Sequence, residues 1–236
     1  MTTMVCVARS GGRYDEVYVE RLARGAWRAI DGLDRIVCLT DMNIDIRGVE
    51  RVPLHHDWPR WWAKMEAFRP DIATGRTVLL DLDTVLLGDA TDLRAGKGVV
   101  AMEDFRHRGR LSSAVMAFDE GSLAHVYERF AADPDRWMGP GSCGEVPNAV
   151  HGDQVVIDRF LRDRGGQVSF FQDKHPGLIQ FYNPERVPRG PVLVFIGPDK
   201  PDNADERVRR IWAGVPDAPF GWRRCQPSPN IGMGTV

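Results

Sequence analysis

Thr77-Val-Leu-Leu-Asp-Leu-Asp-Thr-Val-Leu-Leu87 is the stretch that decides how this chain is read. An apolar run of strand type carries aspartates at i and i+2, a spacing that predicts Asp81 and Asp83 on one face of a strand with Leu82 opposite. Two carboxylates held that close between buried strands repel each other and resist ionising. A divalent cation such as Mg²⁺ or Mn²⁺ removes the conflict, because hard carboxylate oxygens suit hard cations. The pair therefore reads as a metal and phosphate site. Two solvent-facing aspartates that simply end a strand have the same spacing, and the pair alone does not separate the two readings.

Working outward, the residues before this stretch alternate strand and helix signals. Strands are expected over 4–8, 35–40 and 49–54. Between the first two, Val19, Leu22, Ala26 and Ala29 or Ile30 mark a helix ending near residue 30. Trp61, Met65 and Phe68 form an i, i+4, i+7 stripe on a helix that stops before Pro70. A β-α-β-β-α-β order of this kind predicts a parallel sheet with helices packed on it. It puts the two aspartates at the C-terminal end of a strand, where open α/β sheets bind ligands. The second half is mixed. Strands are expected over 99–102, 114–118, 168–171, 178–182 and 192–196, and helices over 123–130, from 152 to 161, and over 204–213. The helix from 152 shows Val155, Ile157 or Asp158, and Leu161 on its faces, after an irregular Pro/Gly segment at 133–147. A Pro/Gly-rich tail begins at Pro216.

With 236 residues and a net charge of −2, the chain suits one soluble globular domain with a sizeable core. No apolar run approaches the ~18 residues of a membrane span. The N-terminus reads as a strand rather than a secretory signal, so a cytoplasmic location is expected. Cys6, Cys38, Cys143 and Cys225 are scattered without a Cys-x-x-Cys pair, which favours reduced thiols over zinc or a disulfide framework. Only four of the 31 Lys and Arg residues are lysines (Lys64, Lys97, Lys174 and Lys200).

Six short motifs in a fixed order, spanning residues 5–201, carry a family resemblance. They are the loop Arg9-Ser-Gly-Gly-Arg-Tyr14 after the first strand, Trp61-Trp-Ala-Lys-Met-Glu-Ala-Phe68, and Leu79-Leu-Asp-Leu-Asp-Thr84. Then come Ser112-Ser-Ala-Val-Met-Ala-Phe118, Gly152-Asp-Gln154 and Phe195-Ile-Gly-Pro-Asp-Lys-Pro201. Together the chain resembles the GT-A glycosyltransferases, in particular the family 8 type and its bacterial and viral relatives. The resemblance implies an α/β fold of GT-A type, with a central, mostly parallel mixed sheet and helices on both faces. It implies a catalytic domain over 1–200, and a C-terminal helix and tail over 201–236 belonging to the same domain.

The resemblance also implies roles. Asp81 and Asp83 would bind Mn²⁺ or Mg²⁺, with Asp81 sharing the metal or touching the ribose. Arg9, Tyr14, Thr40, Asp41, Lys64, Leu82, Gly197 and Lys200 would contact the nucleotide and its phosphates, with Tyr14 stacking on the base. Asp153 and Gln154 would act at the reacting carbon, and Ser112 and Ser113 would touch sugar or ribose hydroxyls. Each has an ordinary alternative. Lys64 can lay its stem along the core, Asp153 can be a helix cap, and the Gly197 turn and the Gly-Gly loop can be plain turns. Relatives carry a metal-binding histidine near the late glycine. Here Val194, Phe195 and Ile196 supply none, which leaves His151 and Asp199 as substitutes. The loop Arg106-His-Arg-Gly-Arg110 suits a negatively charged acceptor or a solvated surface.

The expected activity is metal-assisted transfer of a sugar from a nucleotide-diphosphate donor, with a UDP-sugar favoured and retention of configuration. The acceptor can be a glycan, protein, small molecule or modified nucleic-acid base. A non-catalytic nucleotide-sugar binding protein has the same motifs. A phosphatase of the haloacid-dehalogenase kind needs a glycine before Thr84, and its motif normally follows the first strand, so it stands well behind. A dedicated nucleic-acid binder does not suit the near-neutral charge.

Overall fold

Strand β1 (Thr2–Ala8) alternates between two cores. Met4, Cys6 and Ala8 enter one apolar cluster, and Val5 and Val7 enter another. The computed structural model describes residues 1–144, 151–165 and 168–215. Among them, β2 (Arg35–Thr40) and β3 (Glu50–Pro53) join β1 in parallel. On the other side β4 (Arg76–Leu80) is also parallel to β1. The period of two recurs in β2, where Ile36 and Cys38 face one core and Val37 and Leu39 the other. Helix α1 (Glu16–Ala29) links the first two strands, and its Asp15 cap accepts hydrogen bonds from the Val17 and Tyr18 amides.

After β4 the chain turns into β5 (Val85–Leu86) and then β6 (Val100–Glu103). Strand β7 (Leu111–Asp119) returns antiparallel between β4 and β6. Helices α2 (Ala124–Ala132), α3 (Pro134–Met138) and α4 (Asp153–Asp163) follow. Strand β8 (Ser169–Phe170) and the one-turn α5 (Phe171–Lys174) lead to β9 (Ile179–Phe181), β10 (Val192–Val194) and α6 (Glu206–Trp212). The large sheet has the order β3-β2-β1-β4-β7-β6-β8, and β5-β10-β9 form a small second sheet. One core lies under α1, α6 and the small sheet; the other lies under α2, α4 and the Trp-rich segment. Phe68, Phe118, Phe130 and Phe160 are fully buried in the second core, each stabilising by about 1.5–3 kcal/mol. No described helix is long and apolar enough to cross a membrane.

Several expectations need correction. The 77–87 stretch is not one strand. β4 ends at Leu80, a turn closes from Thr84 N–H to the Asp81 carbonyl, and β5 belongs to the second sheet. The Trp-rich segment Arg60–Phe68 is a 3₁₀ helix. At three residues per turn its column is Trp62, Met65 and Phe68. Trp61 instead faces outward, 41% exposed. In α4 the buried faces come from Val156, Ile157, Phe160 and Leu161, while Val155 is half-buried. Part of the segment expected to be irregular forms α3, with Pro134 in its first turn and Asp133 capping it. The tail from Pro216 lies outside the described residues. Helix α6 packs on α1, with the Tyr18 and Trp212 rings 4.9 Å apart.

The sequence reading passed over a buried ion pair. Glu66 is fully buried, and its two carboxylate oxygens accept from the His55 and His56 amides at 2.7 and 2.9 Å. Arg69 donates to the same carboxylate at 2.8 Å and to the Pro53 carbonyl. Glu66 thus ties the loop after β3 to the 3₁₀ helix. Glu66→Gln keeps the shape but weakens charge-assisted bonds, and is expected to cost about 2 kcal/mol in urea unfolding. A neutral result removes this role.

Candidate functional site

The turn after β4 places Asp81 and Asp83 at the C-terminal edge of the large sheet. Asp81 N–H continues the ladder by bonding to the Ala114 carbonyl at 2.9 Å, which fixes β7 alongside. Leu82 points down into the core at 4% exposure and anchors the turn. Its predicted nucleotide contact is therefore left to its backbone.

Lys64 lies at the centre. The 3₁₀ winding brings it inward to 9% exposure, and its ammonium meets Asp81 Oδ1 at 2.7 Å and Asp153 Oδ2 at 3.1 Å. It also donates to Ser113 Oγ at 3.1 Å, and Ser113 donates to Asp153 Oδ2 at 2.6 Å. Burial works against the ammonium charge, but Asp153 and Asp81 outweigh it and hold its pKa above the ordinary lysine value. Asp81 shows the reverse. Burial pushes its pKa up to about 6 against the pull of Lys64, and the nearby Asp83 and Asp153 charges add to the rise. Solvent reaches 31% of the Asp81 side chain and tempers this shift. Asp153 is not the cap of α4; Gly152 is, and the Asp153 carboxylate turns instead to Ser113 and Lys64.

Asp83 gathers two distant groups on one oxygen. The Tyr14 hydroxyl donates to its Oδ2 at 2.8 Å, and the Lys200 ammonium meets the same atom at 2.8 Å. Burial first, and then Asp83, push the Tyr14 pKa well up, so the phenol stays a donor. Its ring packs on Tyr18 at 4.9 Å, so this tyrosine is bound to the acidic turn rather than standing as a free stacking platform. Lys200 is delivered by a turn that begins at Gly197 (φ +81°), a backbone conformation open to glycine. The turn closes when Asn203 accepts from the Lys200 amide at 2.6 Å.

The other expected residues divide. Ser10 donates to Asp41 through its amide (2.7 Å) and its hydroxyl (2.6 Å), which joins the first loop to the end of β2. Burial raises the Asp41 pKa, but these bonds prevail and hold it below the usual range. Arg9 pairs with Asp57. Thr40 is fully buried and accepts from the Met42 amide, so its hydroxyl shapes the turn at the end of β2. Ser112 is buried and accepts from the Ala114 amide. Gln154 donates to Asp104 Oδ2 at 3.1 Å. His151 is not a substitute metal ligand: its Nε2 lies 2.9 Å from the Trp137 carbonyl, with the ring beside Trp62. Asp199 makes no described contact with either aspartate. In the loop at 106–110, Arg110 is committed to buried Asp158 at 2.6 Å and His107 leans on Asp104, leaving Arg106 and Arg108 in solvent.

The sequence reading left out Asp104 and set Trp61 in the apolar stripe. Asp104 fixes Gln154 and accepts from the Arg106 and His107 amides. Like Asp83 it follows an apolar strand, and that was the available signal. Trp61 lies against the start of α4, since a Cβ on Gly152 would sit 3.1 Å from its indole nitrogen. The left-handed Arg60 (φ 54°) turns it there, a conformation rare for a bulky residue.

Three carboxylates thus face two ammonium groups. In each carboxylate the described bonds fall on one oxygen: Oδ1 of Asp81, Oδ2 of Asp83 and Oδ2 of Asp153. The uncommitted oxygens of Asp81 and Asp83 fit a hard cation that also takes ligands from a bound phosphate. They do not fit a metal held by protein alone, because no group of three or more His, Cys, Asp or Glu among the described residues is arranged to hold one.

No protein-family model matches the chain, nor does any curated protein sequence. Solved structures do resemble it. The glycosyltransferase GlyE of Streptococcus pneumoniae TIGR4 superposes with a TM-score of 0.63 at 17% identity, over 91% of this chain and 60% of that one. The galactosyltransferase LgtC, solved with donor and acceptor sugar analogs, gives 0.62 at 12% identity over 92% of this chain and 97% of that one. An active-site mutant of LgtC gives 0.64. The chain therefore spans under two thirds of GlyE and nearly the whole of LgtC, and it has the GT-A fold of these glycosyltransferases.

Proposed function

We propose that this protein is a glycosyltransferase that takes a sugar from a nucleotide-diphosphate donor. The observation that carries the proposal is the convergence of Lys64 and Lys200 on Asp81, Asp153 and Asp83 at the C-terminal edge of the sheet. A diphosphate brings negative charge and ester oxygens to such a place, and lysine is a natural point charge for it. Lys200 and Tyr14 are then the groups that meet the β-phosphate, and the loop that joins Ser10 to Asp41 borders the nucleoside. Asp153, oriented by Ser113 and Lys64, hydrogen-bonds donor-sugar hydroxyls close to the reacting carbon, with Gln154 held beside it by Asp104. Asp81 and Asp83 would hold a Mn²⁺ or Mg²⁺ ion, which would supply Lewis-acid stabilisation of the charge that builds on the leaving diphosphate. As the sugar–oxygen bond breaks, the departing phosphate oxygen can take the acceptor proton, so no separate base is needed. A UDP-sugar and retention of configuration are the favoured forms, on the likeness of motifs and fold.

The test is a thermal-shift screen of nucleotide sugars with and without Mn²⁺, followed by donor hydrolysis assays. A donor at about 100 times its Kd adds about 2.7 kcal/mol. For a chain of this size that raises Tm by about 5–11 °C, and the rise is expected to need the metal. Binding without turnover across varied acceptors would favour the non-catalytic alternative; no shift with any donor rejects the proposal.

A further inference from the structure

A cavity of about 650 Å³ opens between Phe105, the residue after Asp104, and the β9–β10 segment, and the proposed reaction makes no use of it. Its floor is a pair of aromatic rings, Phe105 and Phe181, with centroids 5.3 Å apart. They are 37% and 44% exposed. Leaving two phenylalanines this open forgoes roughly 0.6–1.3 kcal/mol of burial for each ring, and their pairing suits a contact surface. Arg186 and Arg189 line the same cavity. Neither guanidinium has a hydrogen-bond or ion-pair partner among the described residues. Gln180 shapes the wall, accepting from the Arg189 amide at 3.1 Å and donating to the Gly190 carbonyl.

The topology puts this cavity on a definite side of the site. In the order β3-β2-β1-β4-β7-β6-β8, the Ser10–Asp41 contact joins the ends of β1 and β2, on one flank of Asp81. Phe105 lies in the loop just after β6, on the other flank. It follows Asp104, which holds Gln154 beside Asp153. Strand β6 runs the same way as β4, both being antiparallel to β7, so its end reaches the same edge of the sheet. Phe181 is in register with Val194 on β10, the strand that leads to Gly197 and Lys200. A donor lying from β2 toward Asp153 would bring its reacting carbon to the side of Gln154 and Asp104, next in the chain to Phe105.

On the glycosyltransferase reading, we propose that the Phe105–Phe181–Arg186–Arg189 cavity is the acceptor subsite, and that it takes a sugar bearing a phosphate or carboxylate. The apolar face of a pyranose packs on the exposed rings, in a pocket of mainly apolar walls with a few polar anchors. The two unpaired guanidiniums supply the forked donors that recognise phosphate or carboxylate oxygens. A nucleic-acid strand does not suit the cavity, since two arginines are not the basic stripe such a ligand needs and the chain carries a net −2.

The test compares binding of glucose, glucuronate, glucose 6-phosphate and inorganic phosphate by calorimetry and saturation-transfer NMR. The variants are Phe181→Ala and the double change Arg186→Gln/Arg189→Gln, all at exposed positions. The wild type is expected to prefer a charged sugar over glucose by about tenfold or more, the worth of a charge-assisted pair. The double arginine change should erase that preference, and Phe181→Ala should weaken charged and neutral sugars alike. The donor-plus-Mn²⁺ thermal shift should be unaltered in both variants. Equal binding of charged and neutral sugars, or no binding of any charged sugar, overturns the proposal. So does inorganic phosphate binding as tightly as glucose 6-phosphate. An absent donor shift in the wild type rejects the nucleotide-sugar reading separately, because the sugar titrations need no donor.

Discussion

Lys64→Met is expected to lower the free energy of unfolding by about 3–5 kcal/mol, the cost of stripping one partner from a buried ion pair. Methionine matches the length of the lysine stem, so the loss is electrostatic rather than a cavity. Two carboxylates lose their counter-charge together. Asp81 can draw on water, with 31% of its side chain exposed, but Asp153 retains only 9%. Asp153 therefore carries most of the penalty, with Ser113 as its remaining described donor. Urea unfolding of Lys64→Met, Asp153→Asn and the double variant separates the contributions. The double variant should recover more than half of the loss, because its neutral amide no longer needs an ammonium partner. A double variant as unstable as Lys64→Met alone would point to packing.

What could be read from the residues, and what could not, follows from the range of the interactions. The alternation in β1 and β2, the position of Asp81 at a strand end and the beginning of α4 near Gly152 are local, and local patterns survive in sequence. The 3₁₀ helix does not, because Trp61, Met65 and Phe68 satisfy an α-helical stripe as well as Trp62, Met65 and Phe68 satisfy a 3₁₀ one. The choice between them is made by packing on both sides of the segment. Lys64 was recognised as a cation of interest, but its burial between two carboxylates depends on that winding. The Lys200–Asp83 contact spans 117 positions, and nothing in either neighbourhood announces it. The same holds for Tyr14, whose hydroxyl reaches Asp83 across 69 positions. Asp104 was visible as an acid after an apolar strand, yet its partner Gln154 lies 50 residues later. The aromatic pair Phe105–Phe181 joins the large sheet to the small one, and the existence of that second sheet was not foreseen.

Asp83→Asn and Lys200→Met are expected to act in opposite directions on metal binding while both suppress turnover. In Asp83→Asn the side-chain oxygen still accepts from Tyr14 and Lys200, but Lys200, with 14% of its side chain exposed, loses its counter-charge, so stability should fall by about 2 kcal/mol, the scale of a charge-assisted bond. A neutral amide is nonetheless a poor ligand for a hard cation. The metal-dependent thermal shift should vanish, and donor turnover should fall by about 10³-fold or more, which corresponds to several kcal/mol of lost transition-state stabilisation. Lys200→Met removes the ammonium that shares Asp83 Oδ2 with Tyr14. A cation and this ammonium are attracted to the same carboxylate, so their occupancies compete. Mn²⁺ added without nucleotide should bind the Lys200→Met protein more tightly than the wild type, read by calorimetry. Turnover should still drop by about 10²–10³-fold, because a preorganised donor to the leaving phosphate has gone. In the wild type, Mn²⁺ alone should give a small shift and Mn²⁺ with donor a large one, since the incoming diphosphate draws Lys200 to itself and frees Asp83. Near-full turnover in Asp83→Asn would remove the acidic turn from the chemistry. Unchanged Mn²⁺ affinity in Lys200→Met would show that the two cations do not compete, and that the lysine only steadies its own loop.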